Sequence, residues 1–126
     1  MKYFIYCRKS SEEDNKQVQS LDTQERILVD FATTKNLQII DIFREAKSAK
    51  DAGTREIFKL MLSRVEKGEA DGLLVSHTDR LARNYNDAGD LLNLMSKGLL
   101  KEITTPYRAF NSVQDYLYMG FDFVFA

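Results

Sequence analysis

Cysteine, histidine and proline are scarce in this sequence, and the first two limit the chemistry it can carry. A single cysteine, Cys7, excludes an intramolecular disulfide and fits a reducing compartment. One histidine and one cysteine cannot form a Cys/His metal constellation, and the sequence also lacks a glycine-rich phosphate loop. We therefore expect no metal and no cofactor.

Long hydrophobic runs are missing as well. No apolar stretch approaches the roughly 18 residues that a membrane span requires. The first apolar run lies between Lys2 and Arg8, which is too short for a secretory signal. These features predict a cytoplasmic protein with no membrane partner.

An excess of charge of either sign is also lacking. The 126 residues include 18 basic and 19 acidic side chains, which gives a net charge of -1. Proteins that bind DNA tightly usually carry a basic footprint. Composition is therefore neutral to mildly unfavourable for nucleic acid, unless the positive charge gathers at one place. With 44% hydrophobic and 29% charged residues, the chain is typical of one globular domain.

Hydrophobic periodicity predicts an alternation of strands and helices. Short apolar runs indicate strands over residues 2–7, 37–43, 72–76 and 99–104, the last ending near Pro106. Helical spacing of apolar residues indicates helices from the capping residue Ser20 to about Lys35, from Thr54 to Gly68, and over residues 85–97. This order is typical of βαβ units, so we expect an α/β fold in three layers, with a four- to five-stranded, mainly parallel sheet flanked by helices.

Three polar loops follow the first three predicted strands, at the carboxyl ends where functional loops of parallel sheets gather. Arginine offers a planar fork of donors that fits a phosphate, and positioned cations supply most of the catalysis of phosphoryl transfer. A serine among them is suited to be a nucleophile. The residues that these loops should bring together are Arg8, Ser10, Arg55, Asp79, Arg80 and Arg83.

Four segments resemble, in order, features of serine site-specific recombinases, the group of resolvases, invertases and large serine integrases. Residues 6–10 (Tyr-Cys-Arg-Lys-Ser) resemble its Tyr-x-Arg-x-Ser opening, and residues 20–24 (Ser-Leu-Asp-Thr-Gln) its Ser-Leu-x-x-Gln. Residues 79–83 (Asp-Arg-Leu-Ala-Arg) resemble its Asp-Arg-Leu-x-Arg signature, and residues 99–106 the strand before the long dimer helix.

The resemblance implies a resolvase-like catalytic domain in which Ser10 attacks a DNA phosphate and forms a 5′-phosphoserine intermediate. Strand cleavage and rejoining would need no cofactor, and the partners would be a double-stranded recombination or attachment site and a homodimer that assembles into a tetramer, with no small-molecule substrate. It implies phosphate-activating roles for Arg8, Arg55, Arg80 and Arg83, and supporting roles for Gln24 and Asp79. Relatives carry Ser-Gly and Arg-Pro in the second loop where this chain has Ser48-Ala49 and Arg55-Glu56, so the assignment of Arg55 depends on its place before a helix.

The end of the sequence, residues 114–126, is apolar at helical spacing. We expect residues 1–126 to be the N-terminal catalytic domain of a longer mobile-element recombinase, ending at the start of its dimerisation helix and lacking the DNA-binding domains.

Two other interpretations remain open. A non-catalytic, receiver-like signalling or interaction module predicts an acidic cluster at the strand ends. A serine hydrolase needs His77 within hydrogen-bond reach of Ser10. Taken singly, Ser10 could be a loop or capping serine, Arg80 and Arg83 solvated helix charges, and Asp79 a helix cap.

Overall fold

A computed structural model describes residues 1–9, 20–46, 55–82 and 85–117, with the side chain of Asp79 left out. The strands and helices, in chain order, are β1 (Lys2–Lys9), α1 (Leu21–Lys35), β2 (Gln38–Ala46), α2 (Glu56–Glu66), β3 (Gly72–Leu74), α3 (Tyr85–Ser96), β4 (Glu102–Thr104) and β5 (Ala109–Phe110). A 3₁₀ turn, Thr78–Arg80, lies between β3 and α3, and residues 113–117 are helical. No helix of the described part is long and apolar enough to cross a membrane.

The five strands form one sheet in the order β2-β1-β3-β4-β5. The first four strands run parallel, and β5 pairs antiparallel with β4. The α/β class and the mainly parallel sheet are confirmed. The β4 strand is shorter than predicted, because the amides of Leu99 and Leu100 both donate to the Leu94 carbonyl and so close the end of α3.

Strand β1 lies in the middle of the sheet and is buried on both faces. Phe4 and Tyr6 point into the core on the side of α2 and α3, whereas Ile5 and Cys7 point into the core under α1. This alternation follows from the two-residue period of a strand. The helices thus cover both faces of the sheet, as the three-layer prediction requires.

Local signals in the sequence set the ends of α1. The Ser20 side chain accepts a hydrogen bond from the Thr23 amide, as an N-cap does, and Asn36 adopts the left-handed conformation (φ 58°) after the last turn. Gly68 and Gly98, with φ of 84° and 75°, follow the ends of α2 and α3 in the same way. Thr54, at which the second helix is predicted to begin, lies outside the described residues.

The amino ends of β1, β3 and β4 are tied together by polar and close contacts. The Lys2 amide donates to Asp71 Oδ1 at 2.8 Å, and the Tyr3 hydroxyl donates to Glu102. The Tyr3 ring also lies over Gly72, where a Cβ atom would come within 2.6 Å of it. These contacts fix the end of the sheet that faces away from the predicted site.

Candidate functional site

Two of the predicted site residues, Arg8 and Arg80, meet at the carboxyl ends of β1 and β3. Arg8 is the next-to-last residue of β1, and its side-chain Nε donates to the main-chain carbonyl of Arg80 at 3.2 Å. Arg80 ends the 3₁₀ turn that follows β3. Arg8 is 5% exposed, whereas the Arg80 side chain is half-buried. The first and third motifs, 72 residues apart, are therefore in direct contact.

Gln24 holds the backbone of Arg8. Its Oε1 accepts from the Arg8 amide at 3.2 Å, and its Nε2 donates to the Arg8 carbonyl at 3.0 Å. Gln24 is 1% exposed, on the face of α1 that packs against the sheet. A primary amide suits this position, because it carries an acceptor and a donor side by side. Gln24 thus fixes the main chain of the residue that carries the first predicted arginine, and its supporting role in a site stays a prediction.

Arg55 is buried, and its guanidinium makes several contacts. It forms an ion pair with Asp87 of α3, and its NH2 donates to the Leu81 carbonyl at 2.7 Å and to the Tyr6 hydroxyl at 2.9 Å. The guanidinium carbon also lies 4.1 Å from the centre of the Phe58 ring, a cation–π distance. The Arg55 side chain is 6% exposed, so its charge is neutralised inside the protein instead of facing solvent.

A second buried carboxylate, Glu45, lies beside this group at the end of β2. Glu45 is 1% exposed, and its Oε1 accepts from the Tyr6 hydroxyl at 2.5 Å. Its two oxygens also accept from the amides of Ile57 and Phe58, at 3.1 and 3.2 Å. Glu45 therefore caps α2, whose first amides would otherwise lack partners, and its negative charge is favoured by the helix dipole.

The hydroxyl of Tyr6 is held between these charges. Burial raises the pKa of Tyr6 above its ordinary value; the nearby Arg55 opposes this effect, and the hydrogen bond to Glu45 adds to it. Tyr6 therefore stays neutral, donating to Glu45 and accepting from Arg55. We call the set Tyr6, Glu45, Arg55 and Asp87 the buried polar cluster.

Ser10 and Arg83 lie outside the described residues, and of Asp79 only the main chain, in the turn Thr78–Arg80, is described. The chain leaves the described region after Lys9, one residue before Ser10, and after Ala82, one residue before Arg83. These two points belong to the segments that the contact between Arg8 and Arg80 joins.

His77, the residue that the hydrolase interpretation needs, is exposed. Its ring stacks on that of Tyr107, with centres 5.7 Å apart and planes 16° from parallel. Within residues 1–9, 20–46, 55–82 and 85–117, no group of three His, Cys, Asp or Glu residues could hold a metal ion.

Sequence reasoning missed Glu45 and Asp87. Glu45 was assigned to the polar loop after β2, although the strand continues to Ala46. Asp87 is four residues before Leu91, so it lies on the apolar face of α3, and that spacing could have indicated a buried carboxylate. An acidic residue at a core position of a helix requires a buried partner, and that partner is Arg55.

Comparison with known families decides what this fold is. The family named Resolvase, N terminal domain matches residues 3–101, more than three quarters of the chain. The chain belongs to this family. A comparison with curated proteins gives no match.

Solved structures resemble this resolvase-family domain throughout most of its length. The N-terminal catalytic domain of TP901-1 integrase is 22% identical, with a TM-score of 0.70, and the match covers 96% of this chain and 90% of that one. A resolvase family site-specific recombinase from Streptococcus pneumoniae is 23% identical, with a TM-score of 0.70, over 96% and 82% of the two chains. The C-terminal catalytic domain of ISC1926 TnpA, an IS607-like serine recombinase, is 22% identical, with a TM-score of 0.64, over 84% and 69%. At these identities the likeness establishes the resolvase-like fold.

Proposed function

We propose that this resolvase-family domain catalyses site-specific DNA recombination, with Ser10 as the nucleophile. The observation that carries the proposal is the hydrogen bond from Arg8 Nε to the Arg80 carbonyl. It joins the strand that leads to Ser10 to the turn that leads to Arg83. Membership of the resolvase family supports the reaction class.

In the proposed reaction the Ser10 Oγ attacks the phosphorus of a DNA phosphodiester and loses its proton. The bond from phosphorus to the 3′-oxygen breaks, the released 3′-oxygen takes up a proton, and the 5′-phosphate stays on Ser10. After strand exchange, a 3′-hydroxyl attacks the phosphoserine and reverses the step. At each stage one phosphoester bond breaks and another forms, and the phosphate remains a diester, so no cofactor or energy source is required.

The arginines supply the electrostatic part of this reaction. Negative charge on the non-bridging oxygens is met by fixed guanidinium donors, which act most strongly where water is excluded. Arg8, Arg80 and Arg83 are proposed to bind these oxygens, and Asp79 to orient an arginine. Gln24 supports the site by holding the Arg8 backbone.

The proposed substrate is a double-stranded recombination or attachment site, and the proposed active form is a homodimer that assembles into a tetramer. Four subunits would supply one Ser10 for each of the four strands that two duplexes contribute. The DNA sequence would be read by domains outside residues 1–126.

The test is a covalent adduct between the full-length protein and DNA that it demonstrably binds. Wild-type protein should give a protease-sensitive adduct on denaturing gels, together with a free 3′-hydroxyl that a terminal transferase can extend. Ser10→Ala should abolish the adduct, whereas Ser11→Ala, the change to the adjacent serine, should retain it. Bound DNA without an adduct, or an adduct that survives in Ser10→Ala, would contradict the proposal.

A further inference from the structure

Two arginines hold consecutive carbonyl groups of one turn. Arg8 Nε donates to the Arg80 carbonyl, and Arg55 NH2 donates to the Leu81 carbonyl. These carbonyls belong to the motif that also carries Arg83. The contacts come from two separate segments of the chain, one from the end of β1 and one from the residue before α2.

We infer that Arg55, together with Asp87, is a positioning residue for the turn that carries Arg80 and Arg83, and not a ligand of the DNA phosphate. The inference rests on the proposed function and changes the role that the family resemblance implied for Arg55. Its basis is that both terminal nitrogens of the guanidinium are already engaged, NH1 by the buried carboxylate of Asp87 and NH2 by the Tyr6 hydroxyl and the Leu81 carbonyl.

The energetics favour this assignment. The Arg55 side chain is 6% exposed and that of Asp87 11%, so the ion pair is shielded from water. For Arg55 to reach a phosphate it would have to give up its ion pair with Asp87 inside the protein, and breaking a buried ion pair is strongly disfavoured. Stacking on Phe58 further restricts the guanidinium.

The ion pair with Asp87 connects Arg55 to a second helix. Arg55 precedes α2 and Asp87 lies in the first turn of α3, so the ion pair joins the starts of two helices. The Leu81 carbonyl lies between β3 and α3 and is held by the same guanidinium. Loss of Asp87 should therefore loosen the turn in the same way as loss of Arg55 does.

The test separates phosphate binding from positioning by removing charge from the DNA. A methylphosphonate at the cleaved position replaces a charged oxygen by a methyl group, so the loss of a phosphate-binding cation should matter less. The quantity compared is the single-turnover rate of adduct formation, expressed as the ratio of variant to wild type. For Arg80→Ala we expect this ratio to be at least about tenfold higher on methylphosphonate DNA than on normal DNA. On normal DNA, Arg55→Met should form the adduct about 100-fold more slowly than wild type, the scale expected for a small misplacement of catalytic groups. Its DNA affinity should stay within about threefold of wild type. Its rate ratio should not recover on methylphosphonate DNA.

A second variant covers the case in which Arg55→Met folds poorly. Arg55→Met/Asp87→Leu replaces the ion pair by apolar side chains and should recover much of the lost thermal stability. It should remain about as slow as Arg55→Met, because the Leu81 carbonyl still lacks its donor. The exposed neighbours Lys59→Met and Asp90→Asn are the matched controls and should behave as wild type.

Three results would overturn the inference: recovery of Arg55→Met on methylphosphonate DNA equal to that of Arg80→Ala, a wild-type rate per folded molecule in Arg55→Met, or full activity in the double variant. If wild-type protein forms no adduct at all, the proposed function fails separately. Amide exchange at Arg80 and Leu81 then decides the positioning role, which requires faster exchange in Arg55→Met than in Lys59→Met.

Discussion

Tyr6 and Glu45, on neighbouring parallel strands, share a buried hydrogen bond of 2.5 Å from phenol to carboxylate. Both residues belong to the buried polar cluster beneath the proposed site. Most substitutions in this cluster should therefore affect stability as well as activity, and pH and conservative variants can distinguish the two.

Tyr6→Phe should destabilise the protein by about 1–3 kcal/mol at neutral pH, because Glu45 loses a buried donor while the aromatic packing on Phe58 remains. The pKa of Tyr6 is raised in the folded protein, so the neutral phenol contributes stability that is fully present below the unfolded pKa of about 10. Above that pH the unfolded state gains by ionising. The difference between wild type and Tyr6→Phe should thus shrink by up to about 1.4 kcal/mol per pH unit.

Urea unfolding of both proteins at pH 7, 10 and 11 measures this difference, since the other tyrosines are common to both. A difference that grows above pH 10 would contradict the neutral, buried state of Tyr6.

Glu45→Gln should cost about 1.5–3 kcal/mol, the range for hydrogen bonds to charged groups. The new amide group keeps one acceptor, but its NH2 would face either the amides of α2 or the Tyr6 hydroxyl. Chemical denaturation measures the loss. Glu66→Gln, at the exposed far end of the same helix, is the matched control and should stay within about 0.5 kcal/mol of wild type. Equal stability of the two variants would mean that Glu45 does not cap α2.

Gln24→Glu keeps the acceptor for the Arg8 amide and removes the donor to the Arg8 carbonyl. Two oxygens would then face each other in a buried position, so we expect a loss of about 1–3 kcal/mol and slower adduct formation. Gln38→Glu, exposed at the start of β2, provides the control. The rate of adduct formation is compared at a temperature below the unfolding midpoint of Gln24→Glu, where the variant is folded. A wild-type rate there would mean that the hydrogen bonds from Gln24 to the Arg8 main chain do not contribute to catalysis.

Cys7 should be inert in the folded protein. It is fully buried, and burial, with a smaller effect of Glu25, raises the pKa of its thiol to about 12. Alkylation at pH 8 should be slower than in urea by about 10³-fold or more, since it requires opening of the structure. Mass spectrometry follows the single label, because the sequence holds one cysteine. Labelling at the denatured rate would show that the core under α1 is open.

The fold could be predicted well because its signals are local. The apolar run of β1, the Ser20 cap and the glycines after α2 and α3 each specify a conformation within a few residues. The antiparallel β5 is two residues long and gives no comparable signal.

The candidate site was predictable only as a set of motifs. The contact between Arg8 and Arg80 agrees with the predicted convergence at the sheet edge. The burial of Arg55 could not be anticipated, because arginine is mostly exposed and its carboxylate partner lies 32 residues away in another helix. Ser10, Asp79 and Arg83 keep the roles assigned to them as predictions.

The place of β2 at the edge of the sheet has a consequence for solubility. A nine-residue edge strand offers unpaired backbone groups to which a strand of another molecule could add. Asp41 and Arg44 put charges on this strand, and each is held in place by an ion pair, with Arg64 and Asp22 respectively. These charges oppose such addition. The strand that contributes Glu45 to the buried polar cluster is therefore also protected from edge-to-edge aggregation.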